Sequence, residues 1–157
     1  MKYQSPLGLL TIVSDSISLT ELNISEFHDE SVLDPTESSD GNLNPILAET
    51  RRWLDLYFSG KQPDFTPRLN PQGTPFQQKV GRELLSIPYG QTTSYGAIAK
   101  HIGCRSAQAI GQAVHRNPIA IIIPCHRVIG ADGSLTGYAS GLAIKEQLLQ
   151  LEKGMNP

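Results

Sequence analysis

The side chains best suited to covalent chemistry in this sequence are Cys125 and His126, which stand side by side after Pro124. A cysteine attacks carbon as a thiolate, and a neighbouring histidine can take its proton near neutral pH. The preceding run from Ile119 to Ile123, four isoleucines and an alanine, predicts a buried strand that ends at the proline. From these residues alone, the alternative is an inert cysteine packed in the core.

Length and composition favour an intracellular protein with free thiols. The 157 residues, 39% of them hydrophobic, can bury the core of one domain or of two small ones. No apolar run approaches the roughly 18 residues that span a bilayer, and the first residues lack the pattern of a signal peptide. We therefore expect a cytoplasmic location, which keeps thiols reduced. With two cysteines, no CxxC motif and no His/Cys cluster, neither a metal site nor a cofactor is predicted.

The net charge of −2 conceals an uneven distribution along the chain. Residues 1–72 carry 11 acidic and 5 basic side chains, a net charge of −6, whereas residues 73–157 carry 4 acidic and 8 basic ones, a net charge of +4. A phosphate backbone would be attracted to the second part and repelled by the first. An ordinary solvated surface remains the alternative for so small an excess.

The first sixty residues predict a small antiparallel sheet followed by one helix. Residues 1–13 and 18–24 have the composition of strands. The acidic segment 25–44 is rich in Ser, Asp and Asn, which is typical of a surface loop. A helix is then predicted over residues 45–60, opened by a proline and closed by a Ser-Gly pair.

A domain boundary is predicted in residues 61–73, which contain three prolines and a glycine. The chain would then consist of an N-terminal α/β domain over residues 1–72 and a second domain over residues 73–157.

The second domain begins with a helix start at Thr74. Its hydroxyl and the side chain of Gln77 form a capping box, with Pro75 at the first helical position. Gly81 lies in the interior of this helix, where it costs about 1 kcal/mol relative to alanine. The glycine indicates either a close packing contact or the loss of a larger side chain.

Two further helices are predicted on either side of a short turn. Ser94 caps the first, residues 103–105 form the turn, and Ser106 caps the second. This is the spacing of a helix-turn-helix, and basic residues such as Lys100 and Arg116 flank it. The pattern favours DNA binding, although many helical hairpins share it.

The order of these elements resembles the alkylguanine-DNA alkyltransferase family, also called methylated-DNA:protein-cysteine methyltransferases. The helix-turn-helix runs into Asn117 and then into the Pro-Cys-His-Arg-Val element at 124–128, which is highly specific. The resemblance covers residues 74–153 almost continuously and the first seventy residues more loosely. It implies an α+β fold, with a small N-terminal sheet-plus-helix domain of RNase H-like type. A mainly helical, winged-helix-like DNA-binding and active-site domain would follow.

The resemblance also implies the reaction. In this family a thiolate, here Cys125, takes an alkyl group from O6 of guanine in DNA and is consumed, one protein molecule per lesion. O4 of thymine is a further possible substrate atom. His126 would deprotonate the thiol through a water, and Glu152 would hold the imidazole in the useful tautomer. Asn117 would satisfy backbone groups at the hinge between the second helix and the active site, and Tyr95 would donate a proton to the departing guanine.

The guanine must be flipped out of the stack to reach the cysteine. The residues that the resemblance implies around the flipped base are Val114, Val128, Tyr138, Ala139 and Lys145.

The DNA-binding side is expected to include Ser94, Ala107, Arg116 and Arg127. Many members of the family place an arginine on the recognition helix to fill the gap left by the flipped base, and here Gln108 stands at that position. Glutamine lacks the charge and the planar cation, so we expect weaker DNA affinity. The expected partner is double-stranded DNA carrying O6-alkylguanine, bound by a monomer.

Two other function classes fit parts of the pattern. One is a non-catalytic module that binds lesions or regulates other proteins, with Cys125 as a core residue. The other is a Cys-His hydrolase that works by acyl transfer, which would turn over many times.

Overall fold

The computed structural model describes residues 1–25, 44–135 and 141–154. The chain forms two compact units, Met1–Pro71 and Gln72–Pro157. The first combines a sheet with a helix and the second is mainly helical, so the predicted α+β class is confirmed. Nearly all of the acidic segment predicted as a loop lies outside the described residues. Within the described ranges, no helix is both long and apolar enough to cross a bilayer.

The first unit is a three-stranded antiparallel sheet with one helix. The sheet has the order β1 (Lys2–Ser5), β2 (Gly8–Ser14) and β3 (Leu19–Ser25), and α1 (Pro45–Phe58) follows. Alternate residues of β2 point to the core, as the period of a strand requires. The predicted strands and helix are therefore confirmed. The buried apolar side chains of these elements are Leu10, Ile12, Leu19, Leu22, Trp53, Leu54 and Tyr57.

The second unit contains a short pair of parallel strands. One strand directly precedes the first helix of the helix-turn-helix and the other directly follows the Cys-His-Arg turn, with Thr93 opposite Val128 and Ser94 opposite Ile129. This pairing brings the beginning of the helix-turn-helix next to the reactive residues. In its described part the unit contains α2 (Pro75–Leu85), β4 (Thr93–Ser94), α3 (Tyr95–Ile102), α4 (Ala107–His115), β5 (Val128–Ile129) and α5 (Leu142–Glu152).

The capping box at the start of α2 is confirmed. The Gln77 amide N–H donates to the Thr74 hydroxyl at 3.1 Å, and the Thr74 N–H donates to the Gln77 side chain at 3.0 Å. Val80 and Leu84 are buried on the inner face, whereas Phe76, one turn earlier, is 36% exposed. The first turn of α2 therefore leaves the core.

The two helices of the predicted helix-turn-helix are also confirmed. The Ser94 hydroxyl accepts from the Ala97 N–H at 3.0 Å, and the Ser106 hydroxyl accepts from the Ala109 N–H at 3.1 Å. Gly103 ends α3 with φ of 74°, a left-handed conformation that costs a glycine little.

The strand predicted over Ile119 to Ile123 is wrong. These residues are all buried, but they form consecutive turns in which the Ile122 N–H donates to the Ala120 carbonyl at 2.8 Å. The Ile123 N–H likewise donates to the Ile119 carbonyl at 3.2 Å. Within this run, local hydrogen bonds replace ladder pairing except at Ile119, which takes part in a β-bridge. The β-branched run therefore indicated burial correctly but not the backbone conformation.

Replacing Gly81 with alanine is expected to stabilise the protein by about 1 kcal/mol. A Cβ atom at this helical position would meet nothing within 4 Å, so no close contact explains the glycine. Urea denaturation measures the change. As a matched control, Gly103→Ala should destabilise by about 1 kcal/mol, because alanine is strained in the left-handed region. A loss of stability at position 81 would show that the position tolerates no side chain.

Candidate active site

Cys125 begins a single turn of 3-10 helix over Cys125–Arg127, directly after Pro124. Cys125 is 5% exposed and His126 is fully buried. The turn is short because β5 starts at Val128 and pairs with β4. The cysteine therefore lies where a buried turn meets the two-stranded pair. Both cysteines of the chain are free thiols.

Asn117 holds the buried turn that precedes the cysteine. Its Nδ2 donates to the carbonyls of Ile119 at 3.2 Å and Ile123 at 2.8 Å, and its Oδ1 accepts from the Ile119 N–H at 3.1 Å. Within the turn, Ile121 has φ of 70°, a conformation that β-branched residues rarely adopt. Such strain persists only where surrounding contacts enforce it. The Asn117 amide supplies three of these contacts.

Glu152, the last residue of α5, reaches the histidine from the opposite side. One carboxylate oxygen, Oε2, forms a short hydrogen bond with Nε2 of His126, and both side chains are fully buried. The other oxygen, Oε1, accepts from Nε of Arg127 at 2.7 Å and from the Gly90 N–H at 3.2 Å. The remaining imidazole nitrogen, Nδ1, has no hydrogen-bond partner among the described residues.

The charges at this cluster keep the histidine neutral and the carboxylate ionised. Burial lowers the pKa of His126 and outweighs the attraction of Glu152. Burial alone would raise the pKa of Glu152, but the hydrogen bonds and positive charges of His126 and Arg127 lower it to about 2. An ionised carboxylate only accepts, so the proton of the neutral imidazole lies on Nε2. Nδ1 is then a lone-pair acceptor, as a base requires.

Lys145 lies on α5 and is completely buried. Its Nζ lies 5.9 Å from the centre of the Tyr95 ring. Burial lowers the pKa of Lys145, while the negative charge of the Cys125 thiolate acts in the opposite direction. The ammonium group is therefore close enough to the cysteine to favour its thiolate form.

The residues expected around a flipped base are only partly described. Val114 and Val128 are buried, at 3% and 0% exposure, and belong to the packed interior. Tyr138 and Ala139 lie outside the described residues. Of this group, Lys145 lies beside Tyr95, the residue expected to donate a proton to the departing guanine.

An open groove of about 720 Å³ runs beside α4, the second helix of the helix-turn-helix. The exposed Ala107 and Gln108 lie in the first turn of α4, and the exposed Arg116 is the residue that follows its last turn. Small side chains leave the backbone of α4 accessible, which suits the approach of another macromolecule. The groove is lined by Tyr95, Ala107, Gln108, Gly111, Gln112, His115 and Arg116.

The DNA contact expected from Arg127 does not fit the structure. The side chain is 8% exposed, and its guanidinium is bonded to Glu152 and to the Ile87 carbonyl, the latter at 2.7 Å. A buried, fully engaged cation has no surface to offer a phosphate. Ser94, also expected at the DNA, caps α3 and is half-buried.

Sequence reasoning missed the backbone groups that complete the cluster. The Gly90 N–H and the Ile87 carbonyl come from the turn between α2 and β4, which the sequence indicated only as a helix end. Main-chain donors and acceptors carry no side-chain signature, so no pattern pointed to them. In the described ranges no three His, Cys, Asp or Glu side chains gather as a metal site would require.

Acid is expected to destabilise the protein from about pH 6.5 downward. Folding lowers the pKa of His126 from 6.5 and that of Glu152 from 4.5 to about 2. As the pH falls, the unfolded chain therefore protonates each side chain at a higher pH than the folded chain does. Stability present at neutral pH is thus lost as the pH falls, with about 3 kcal/mol from Glu152 between pH 4.5 and 2. Urea denaturation across this range measures the loss. A flat profile would contradict the assigned protonation states.

Family models match almost the entire chain. The model described as 6-O-methylguanine DNA methyltransferase, ribonuclease-like domain, matches residues 1–71, and the one described as its DNA binding domain matches residues 75–154. Among curated proteins, the methylated-DNA–protein-cysteine methyltransferase of Methanosarcina acetivorans is 46% identical over 151 residues, which cover 96% of this chain and 95% of that protein. The Mycobacterium leprae protein of the same name is 45% identical over 95% of this chain and 88% of its own length.

Solved structures agree with these matches. The structure of Mycobacterium tuberculosis OGT in complex with DNA has a TM-score of 0.83 and 42% identity, covering 99% of this chain and 93% of that one. The O6-methylguanine DNA methyltransferase of Methanococcus jannaschii has a TM-score of 0.69 and 30% identity, covering 98% and 93%. The resemblance drawn from the sequence is therefore confirmed over both units.

Proposed function

This chain belongs to the 6-O-methylguanine DNA methyltransferase family, whose members repair DNA by moving an alkyl group directly to a cysteine of the protein, and we propose that Cys125 is that cysteine. The observation that carries the assignment is the cluster behind it. A neutral His126 donates a hydrogen bond from Nε2 to Glu152, and its Nδ1 has no partner among the described residues, next in sequence to the buried thiol. This is the nucleophile, base and orienter arrangement of covalent catalysis.

The transfer is an in-line displacement at the alkyl carbon. The thiol proton passes through a water to Nδ1 of His126, and the thiolate sulfur attacks the methyl carbon on guanine O6. The C–O6 bond breaks as the S–C bond forms, and its electron pair leaves with the guanine. A proton then neutralises the guanine anion, and we assign its delivery to the Tyr95 hydroxyl. The products are an unmodified guanine and a methyl thioether on Cys125.

Lys145 stabilises the sulfur anion before transfer. Its buried ammonium attracts the Cys125 charge, and its Nζ lies over the Tyr95 ring. The same cation favours loss of the Tyr95 proton to the departing guanine. Lys145 thus acts at both ends of the displacement.

The target base reaches Cys125 by leaving the DNA stack. Cys125 is 5% exposed, so a base still paired in a duplex would not contact its sulfur. The exposed first turn of α4, with Ala107 and Gln108, supplies the surface that enters the groove of the duplex. Gln108 fills the space left by the flipped guanine. The partner is double-stranded DNA with an O6-alkylguanine, met by one monomer, and O4-alkylthymine is a further substrate to test.

Each molecule acts once. The S–C bond of the methyl thioether does not hydrolyse under these conditions, so the cluster that forms it has no route to restore the thiol. The reaction requires a reduced thiol at the start, so a reducing compartment such as the cytoplasm suits this function.

Methyl transfer to Cys125 is tested by mass spectrometry. Incubation with a duplex containing one O6-methylguanine should add one methyl group to the Cys125 peptide and restore the guanine. Cys104→Ala, at the other free thiol, should behave as the wild type, and Cys125→Ala should bind the duplex without reacting. Binding without a mass gain in the wild type would favour the non-catalytic lesion-binding module. Repeated turnover on a small ester would favour the hydrolase.

Replacing Gln108 with arginine is expected to tighten duplex binding severalfold. Arginine adds a charge that can meet a phosphate or the orphaned base, which should steepen the dependence of log Kd on log salt by about one. Fluorescence anisotropy over a salt series measures both quantities. Gln78→Arg places the same charge at an exposed position of α2 that does not line the groove, and it should change neither. Equal effects of the two variants would show that net charge alone is responsible.

A further inference from the structure

We propose that Arg127 is a positioning residue of the Cys125 site: its guanidinium donates to one oxygen of Glu152 and to the Ile87 carbonyl, so that the other carboxylate oxygen stays directed at His126. The proposal rests on the transfer assigned to Cys125 above. It replaces the DNA contact that the sequence led us to expect for this arginine.

The two carboxylate oxygens of Glu152 have different hydrogen-bond partners. Oε1 accepts from Nε of Arg127 at 2.7 Å and from the Gly90 N–H at 3.2 Å, while Oε2 bonds to Nε2 of His126. With both oxygens engaged, the carboxylate plane is fixed relative to the imidazole. A free carboxylate would rotate about its terminal torsion, which is broad for glutamate.

Arg127 is itself held at three points. A terminal nitrogen donates to the Ile87 carbonyl at 2.7 Å, Nε bonds to Glu152, and the guanidinium carbon lies 5.7 Å from the centre of the Tyr89 ring. These contacts need two N–H groups in one plane and a flat surface against the ring. The planar guanidinium of arginine provides both, whereas the ammonium group of lysine provides neither. The turn from Ile87 to Gly90 thereby braces the carboxylate end of the cluster.

The cation also sets the balance of charge at the imidazole. The charged and titratable groups that interact with His126 are Glu152, which favours the protonated ring, and Arg127 and Lys145, which disfavour it. Cys125 adjoins the histidine in sequence, and Tyr89 interacts with both Glu152 and Arg127. Without Arg127, Glu152 would face the imidazole with one countercharge fewer. The pKa of His126 would rise, and a protonated ring cannot accept the thiol proton.

The test compares Arg127→Met and Arg127→Lys in the full-length chain, with Arg82→Met on the exposed face of α2 as the matched control. Three quantities are measured for each: the single-turnover rate of methyl transfer against pH, the pKa of His126 by NMR, and the Kd for unmodified duplex. Arg127→Met should move the acid limb of the rate profile and the His126 pKa upward together by about one unit, a tenfold loss on that limb. The Kd should stay at the wild-type value.

Arg127→Lys keeps the charge but loses the fork, so its rate should fall at every pH while its acid limb moves less than that of Arg127→Met. The proposal is overturned if Arg127→Met leaves the His126 pKa and the acid limb in place, or if it weakens duplex binding as the loss of a phosphate contact would. It is equally overturned if Arg127→Lys matches the wild type in both rate and profile. Absence of methyl transfer by the wild type would instead refute the function assigned to Cys125, and the NMR measurement would still report on Arg127.

Discussion

Glu152→Gln is expected to slow methyl transfer by roughly 100- to 1,000-fold. The amide can donate to Nε2 of His126, which would move the imidazole proton to Nδ1, the nitrogen that must accept the thiol proton. It also removes the charge that meets Arg127 at 2.7 Å. A buried cation without its partner costs several kcal/mol, so we expect a fall of about 3 kcal/mol in unfolding free energy as well. Single-turnover kinetics with a methylated duplex measure the first effect, and urea denaturation measures the second.

The matched control for this substitution is Glu146→Gln, on the exposed side of the same helix. Its carboxylate is exposed and accepts a weak hydrogen bond from Gln150 at 3.4 Å, so both rate and stability should remain at wild-type values. Because the Glu152 carboxylate favours the protonated imidazole, its loss should not raise the pKa of His126. We therefore expect Glu152→Gln to be slow wherever the thiol needs a base, with no upward shift of the acid limb of its rate profile. An upward shift of that limb would contradict the tautomer argument.

The helices were predictable because their first residues form hydrogen bonds with residues nearby in the sequence. Thr74 with Gln77, Ser94 and Ser106 each bond a neighbouring backbone N–H, and such caps depend on a few adjacent residues only. The conformation of Ile119 to Ile123 depends instead on what lies beside it. The side chains predicted burial, but they did not predict the local backbone hydrogen bonds that form in place of a strand ladder.

In the candidate active site too, some residues were predictable from the local sequence and others were not. The Cys125 and His126 pair stood out by chemistry, but Glu152 is 26 residues away from His126 and was expected only through the family resemblance. Arg127 was assigned to the DNA because a basic residue after the reactive pair gives no sign of its burial. Its partners, the Ile87 carbonyl and the carboxylate of Glu152, come from two other elements. The position of the Arg127 guanidinium therefore depends on contacts between distant parts of the sequence and could not be predicted from its neighbours in the chain.

Asn117→Ala is expected to lower the unfolding free energy by roughly 2 kcal/mol and to reduce methyl transfer in the fraction that stays folded. The Ile119 N–H loses its bond to the Asn117 side chain, which costs about 1 to 3 kcal/mol for a part-buried group. The carbonyls of Ile119 and Ile123 each lose one donor but keep a backbone N–H, that of Ile123 and that of Cys125. The bonds of Asn117 also oppose the strain of Ile121, whose φ is 70°. Urea denaturation gives the stability, and transfer rates are measured well below the unfolding midpoint.

Asn117→Asp sharpens this test, because aspartate preserves the acceptor for the Ile119 N–H but cannot donate to either carbonyl. If the turn depends on donation, Asn117→Asp should be at least as unstable as Asn117→Ala, since a carboxylate facing two carbonyl oxygens is repelled by both. Asn23→Ala, at an exposed position on β3, should change stability by less than about 0.5 kcal/mol. Stability near the wild type in Asn117→Asp would show that one accepted bond holds the turn. Ile121 would then owe its left-handed conformation to the packing of the isoleucines rather than to the amide.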